Sequence, residues 1–139
     1  MEGSSMKVHG GCHCGTIAYE AQVDPARATV CHCIDCQKLS GAAFRASVPA
    51  RVEDFHLLRG APKTYVKTAE SGNRRAQVFC GDCGSPLYSA DAVGAKAYML
   101  RIGVMAERAS LPPQREIWCE AALPWSRDLL PLPKIEKQQ

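Results

Sequence analysis

The chemistry available to this chain sits in three short knots of cysteine. Cys31-His32-Cys33-Ile34-Asp35-Cys36 places three thiols within six residues, Cys12-His13-Cys14 precedes it and Cys80-Gly81-Asp82-Cys83 follows. Together they hold seven of the chain's eight cysteines. Thiolates are soft anionic ligands that suit zinc, and four of them close a tetrahedron with bonds of about 2.3 Å. Disulfides are the competing use of clustered cysteine. Thiols bunched as C-x-C and C-x-x-C are poorly placed to cross-link distant parts of a fold. A chain of 139 residues can also build a core without staples. Metal is therefore the reading the spacing favours.

The seven thiols divide unequally. The doublets Cys12/Cys14 and Cys80/Cys83 make a set of four, and a full tetrahedron marks a structural site. Cys31, Cys33 and Cys36 make a set of three, and three protein ligands beside one open position is how catalytic zinc is held. The alternative is a second closed site completed by His13, His32 or Asp35, although residues between the ligands of a tight knuckle usually point outward.

These ligands must be positioned by the elements around them. Lys7-Val8-His9 reads as a first strand, and Gly11 and Gly15 bracket the bend that brings the sulfurs of a C-x-C pair together. Residues 15–22 alternate around Ile17, Tyr19 and Ala21, the pattern of a half-buried strand. Residues 28–30 run as a strand into the triple-Cys knot. Residues 37–40 suit one helical turn closed by Gly41. Strands are expected over 43–48, ended by Pro49, and over 52–58, 63–68 and 75–80. The last of these delivers the third knot. Leu87-Tyr88, 98–104 and 116–119 supply further strands, and Pro124-Trp125 opens a last partly helical segment. The sum is all-β, a sandwich or partly open barrel with short helical turns. Residues 1–6 read as a disordered lead-in, 7–130 as one domain and 131–139 as a fraying tail.

Composition narrows the function classes. The chain is 46% hydrophobic and 22% charged, with no run approaching the ~20 apolar residues of a membrane-spanning helix. Its formal charge is +3, which seven thiolates around two divalent ions would bring to about zero, so a nucleic-acid partner is not implied. Aromatics are only 6%, which leaves few stacking platforms for single strands. No basic segment followed by an apolar run opens the chain, so a reducing, cytoplasmic setting is expected.

The motifs resemble those of the glutathione-dependent formaldehyde-activating enzyme family, which includes centromere protein V-like proteins. The likeness covers Gly-Gly-Cys-His-Cys-Gly at 10–15, the triple-Cys motif with Lys38, Gly41 and Phe44 at 31–44, and Phe-Cys-x-x-Cys-Gly-Ser-Pro-Leu-Tyr at 79–88. It continues through Arg101-Ile102-Gly103, Ile117-Trp118 and Pro124-Trp125. The resemblance implies an Mss4-like zinc-binding β-fold. It implies a structural zinc on Cys12, Cys14, Cys80 and Cys83, and a second, catalytic zinc on Cys31, Cys33 and Cys36. The implied activity is that of a carbon–sulfur lyase or synthase joining glutathione to formaldehyde or a related small electrophile. A non-enzymatic zinc module that binds glutathione or a protein is the alternative.

Three thiolates leave a zinc ion with net charge −1, a poor activator of water but still an acceptor for a fourth sulfur. Glutathione also carries two carboxylates, and residues 38–75 hold eight Lys or Arg against three Asp or Glu. Lys38, two residues after a ligand, and Arg45, beside Phe44, are the candidates for binding its acidic ends. The chain departs from the family pattern near its end. Glu116 stands where members often carry His, and Ala122-Leu123 stand where a Lys is common, so an anionic ligand must be held by other groups. Cys119 reads as a small buried hydrophobe outside the site.

Overall fold

The computed structural model describes residues 5–138. Alternating polar and apolar residues dominate the sequence, and ten strands result among the described residues. They are β1 (Met6–Gly11), β2 (Ala18–Val23), β3 (Thr29–Cys31), β4 (Arg45–Arg51), β5 (Phe55–Arg59), β6 (Lys63–Thr68), β7 (Arg74–Phe79), β8 (Pro86–Asp91), β9 (Ala97–Arg101) and β10 (Arg115–Ile117). One α-helix, α1 (Ile34–Ser40), follows β3, and short 3-10 turns fill several connections. A three-stranded sheet runs β1-β2-β5 and a seven-stranded sheet runs β10-β3-β4-β9-β8-β7-β6, so the fold is mostly β and neither sheet closes into a barrel.

The apolar alternation sets the packing. Val8, Tyr19, Ala21 and Val23 of the small sheet meet Val48, Ala50 and Leu100 of the large one, with Ile102, Met105 and Leu111 closing the layer. Phe55 crosses between the sheets, its ring 4.8 Å from Tyr19, 5.1 Å from Tyr98 and 5.3 Å from Tyr88. A second apolar cluster of Ile17, Val78 and Leu87 surrounds Cys12 and Cys80.

The other face of the large sheet carries the polar half of the alternation. Cys31 stands opposite Arg45, and Thr29 opposite Ser47, which in turn faces Arg101 across the next ladder. Met99, Ser89, Gln77 and Tyr65 continue the same face through β8, β7 and β6. Thr29, Ser47, Arg101, Ser89 and Gln77 are all buried, an unusual polar row for a sheet interior.

Several boundaries differ from the sequence expectation. β1 begins at Met6, paired with Val23, while residues 1–4 of the expected lead-in lie outside the described residues. β4 passes through Pro49 instead of ending there. β3 stops opposite Ser47, so β4 has no partner on that flank at Pro49, which is where a strand tolerates proline. The 52–58 strand starts late, because Val52–Asp54 forms a 3-10 turn first. The 98–104 strand likewise gives way to a 3-10 turn at Ile102–Val104. β10 ends at Ile117 because Trp118 takes a left-handed backbone, φ 56°, which no ladder continues. Cys119 therefore lies in an exposed turn and not in a buried strand.

Glu107 ties β1 to the loop after β9. Its carboxylate accepts from the His9 backbone N–H and pairs with His9 Nδ1, both at 2.7 Å. Burial opposes ionisation, but the His9 hydrogen bonds prevail and hold the carboxyl below the usual glutamate range. A depressed folded-state pKa means the unfolded chain binds the proton more readily. The stabilisation is present at neutral pH and lost as pH falls through the depressed value. Glu107→Gln is expected to lower urea stability by about 1 kcal/mol at pH 7, and the gap to wild type should close toward acid. Paired urea titrations at several pH values check this.

Candidate metal and substrate site

Two turns of the same design build the four-thiol set. After Cys12-His13-Cys14 the chain reverses on Gly15, φ +83°, whose N–H bonds to the Cys12 carbonyl at 3.1 Å. After Cys80-Gly81-Asp82-Cys83 it reverses on Gly84, φ +81°, whose N–H bonds to the Cys80 carbonyl at 2.8 Å. A side chain at either glycine would strain that backbone. A register shift at Val78/Phe79 re-aims the end of β7 into its turn.

The thiols of Cys12, Cys14, Cys80 and Cys83 all lie within 4.8 Å of one another. Cys14 Sγ is 3.6 Å from Cys12 Sγ and 3.7 Å from Cys80 Sγ. Bonds of about 2.3 Å to one zinc ion would set tetrahedral sulfurs about 3.8 Å apart, so the donor set fits that ion. Its surroundings favour thiolates at Cys12 and Cys83, while at Cys14 the Thr16 hydrogen bonds are outweighed by desolvation and the neighbouring Cys12 and Cys83 thiols, which hold it up. Cys12 is buried, which opposes ionisation, but the Ile17 N–H at 3.2 Å and the Thr16 hydroxyl bring its thiol down to about 7. The Ser85 side chain and backbone N–H, with the Cys14 N–H, lower Cys83 to about 5.

The three-thiol set is built on a helix start. Cys31 ends β3, and Cys33 caps α1, its sulfur accepting from the Cys36 N–H at 3.3 Å. The helix begins at Ile34, three residues before the expected Gln37, because that cap satisfies its first turn; Gly41 closes it as expected, φ 66°. The sulfurs of Cys31, Cys33 and Cys36 lie within 4.8 Å of one another. Among the described residues no His, Asp or Glu joins them. None of the residues weighed as a fourth donor joins the cluster. Asp35 pairs with Lys67, and exposed His13 lies beside the other set, its N–H on Ser85 Oγ.

His32 is the surprise. It points inward, 1% exposed, with Nε2 2.9 Å from Glu116 Oε1 and its ring against Phe44. Its Nδ1 is buried without a partner among the described residues. β10 runs parallel to β3, with Ile117 opposite Cys31, and this register delivers Glu116 to His32. Glu116 thus serves the triple-Cys turn.

A cavity of about 240 Å³ adjoins this turn, lined by Leu39 of α1 and by Arg45, Gln77, Tyr65, Tyr88 and Arg101 among others. Arg45 donates to Gln77 Oε1 at 3.0 Å, reaching over the two intervening strands. Of the two basic residues expected at the site, Arg45 is here. Lys38 is exposed on α1 and does not line the cavity. Arg101 does line it, buried and donating to Ser47 Oγ at 2.5 Å and the Met99 carbonyl at 3.1 Å. Sequence reasoning treated Arg101 only as part of a motif. Its burial follows from β9 lying beside β4, which no local pattern in the sequence announces.

Among the described residues no helix is long and apolar enough to cross a membrane. No curated protein matches the chain. A solved structure from Rhodobacter sphaeroides, a structural-genomics target, is 22% identical, covers 80% of this chain and 99% of its own, and superposes with a TM-score of 0.61, which supports the shared fold. The model of the glutathione-dependent formaldehyde-activating enzyme family matches residues 7–121, over the three cysteine knots and most of both sheets, and the chain belongs to that family.

Proposed function

We propose that this chain is a zinc-dependent carbon–sulfur lyase or synthase, acting on the adduct of glutathione with formaldehyde or a related small electrophile. The observation that carries the reading is the three-thiol cluster, which has no fourth donor among the described residues, set beside a cavity lined by arginine. Residues 7–130 act as one cytoplasmic unit in this reading. Cys12, Cys14, Cys80 and Cys83 hold a structural zinc ion, and Cys31, Cys33 and Cys36 hold a second.

A zinc ion held by three thiolates supplies, when bound, a position at which an incoming thiol loses its proton. The chain's own residues do the rest. Arg45, fixed by Gln77, offers its remaining N–H groups to an acidic end of the substrate. Leu39, Phe79 and Tyr88 give the cavity an apolar wall that excludes water from the reacting sulfur. In the synthetic direction the glutathione sulfur attacks the aldehyde carbon, one carbon–sulfur bond forms, and the carbonyl oxygen takes up a proton.

Calorimetric titration of the zinc-loaded protein with glutathione and with S-methylglutathione tests the reading. Glutathione is expected to bind at least about tenfold more tightly, since only a free thiol can become a thiolate ligand. Equal affinity for the two would contradict it. A single-turnover assay with formaldehyde separates enzyme from carrier: binding without acceleration would make the chain a non-enzymatic glutathione module.

A further inference from the structure

Arg101 is a buried charge, 5% exposed, with no carboxylate partner among the described residues. The opposing charges that act on it are the thiols of Cys36 and Cys31. Both of its hydrogen bonds leave from Nη1, so Nε and Nη2 have no partner among the described residues. An arginine has five donors in a planar fork that matches a carboxylate two bonds at a time. Arg101 lines the cavity and its unused donors are not sealed in the core, so they remain within reach of a ligand there.

Its neighbours sharpen the problem. Arg101 faces Ser47, Arg45 stands two residues from Ser47 on the same strand face, and Arg45 faces Cys31. Arg45 itself bonds a neutral glutamine, and both arginines line the same cavity. Arg75 is close enough to repel Arg101 but is satisfied by Asp91 at 2.9 Å. Burial, and then the like charge of Arg45, push the Arg101 guanidinium down to about 9. Such a site is held ready for an anion.

We propose that Arg101, with Arg45, forms a carboxylate-recognition pair in the cavity beside the three-thiol cluster, and that it selects thiols bearing a free carboxylate. This rests on the proposed role of that cluster as the place where a substrate sulfur is held. The buried fork of Arg101 fixes one carboxylate in two dimensions, and Arg45, nearer the opening, closes over it. The distance from this pair to Cys31 along the sheet face then limits how far the acid can lie from the sulfur. Arg101 is a specificity-determining residue in this account, and Lys38 has no part.

The test uses the zinc-loaded full chain and four probes: glutathione, glutathione diethyl ester, 3-mercaptopropionate and 2-mercaptoethanol. Wild type should prefer each acid over its uncharged counterpart by about 10- to 100-fold, the size of one or two charge-assisted hydrogen bonds. Arg101→Gln should erase most of that preference while metal content stays unchanged, and Arg101→Lys should restore it in part. Arg45→Gln, at a less buried position, keeps the test intact if Arg101→Gln does not fold, and should reduce the preference about tenfold. A preference for 3-mercaptopropionate without binding of glutathione would remove the glutathione reading and leave the arginine pair standing. No acid preference in wild type, or one unchanged in a folded Arg101→Gln or Arg45→Gln protein, would overturn the pair.

Discussion

Cys80→Ser is expected to leave the protein without a folded state at ordinary temperature. Cys80 is buried in the small apolar cluster with Ile17, Val78 and Leu87, and its sulfur belongs to the four-thiol set. That set joins the turn between β1 and β2 to the turn between β7 and β8, one in each sheet. A structural zinc site contributes on the order of 10–16 kcal/mol to folding in small zinc peptides. A whole domain has only about 5–15 kcal/mol of net stability. Even a fraction of the metal term therefore outweighs what the sheets retain. Serine offers a harder, weakly acidic oxygen where a thiolate is needed. The expected result is loss of near-ultraviolet dichroism and of the cooperative thermal transition. A variant that keeps both and still binds two zinc ions would contradict the structural role.

Cys33→Ser should behave in the opposite way. Cys33 contributes to the three-thiol set and also caps α1 by accepting the Cys36 N–H. Serine is among the best residues for that cap, so the helix keeps its first turn and the change of cap costs no more than about 1 kcal/mol. The metal site fares worse, since two thiolates and a hydroxyl no longer hold zinc tightly. Zinc content should fall by one equivalent, glutathione binding should fall below detection, and the thermal transition should move by only a few degrees. Comparing metal content and melting curves of the two variants checks the unequal division of the cysteines. Loss of folding in Cys33→Ser would erase the distinction between the two sites.

The cysteine knots were legible in the sequence because thiols that could share one metal ion must be close in space and tight turns make them close in sequence. The mostly-β character was legible for a similar reason: strands such as β2 and β7 alternate within a few residues. What was hidden depends on strand pairing across long separations. Arg101 and Ser47 meet only because β9 lies beside β4, and Glu116 meets His32 only because β10 adds in parallel to β3. Nothing local to Arg101 marks it as buried. Lys38 shows the converse, since its nearness to Cys36 in sequence carried no information about which way the helix turns it. Pro49 was misread as a stop because a proline reveals its tolerance only once the free flank of its strand is known.

The central claim is that seven thiols serve two ions unequally, one enclosed by sulfur and the other able to accept a sulfur from outside. Zinc X-ray absorption of the two-zinc protein, recorded before and after adding glutathione, tests it most directly. The account predicts four sulfurs on one ion and three plus a lighter atom on the other, with one further zinc–sulfur bond per chain once glutathione is present. A chain that binds a single zinc ion, or two whose sulfur coordination glutathione leaves unchanged, would contradict it.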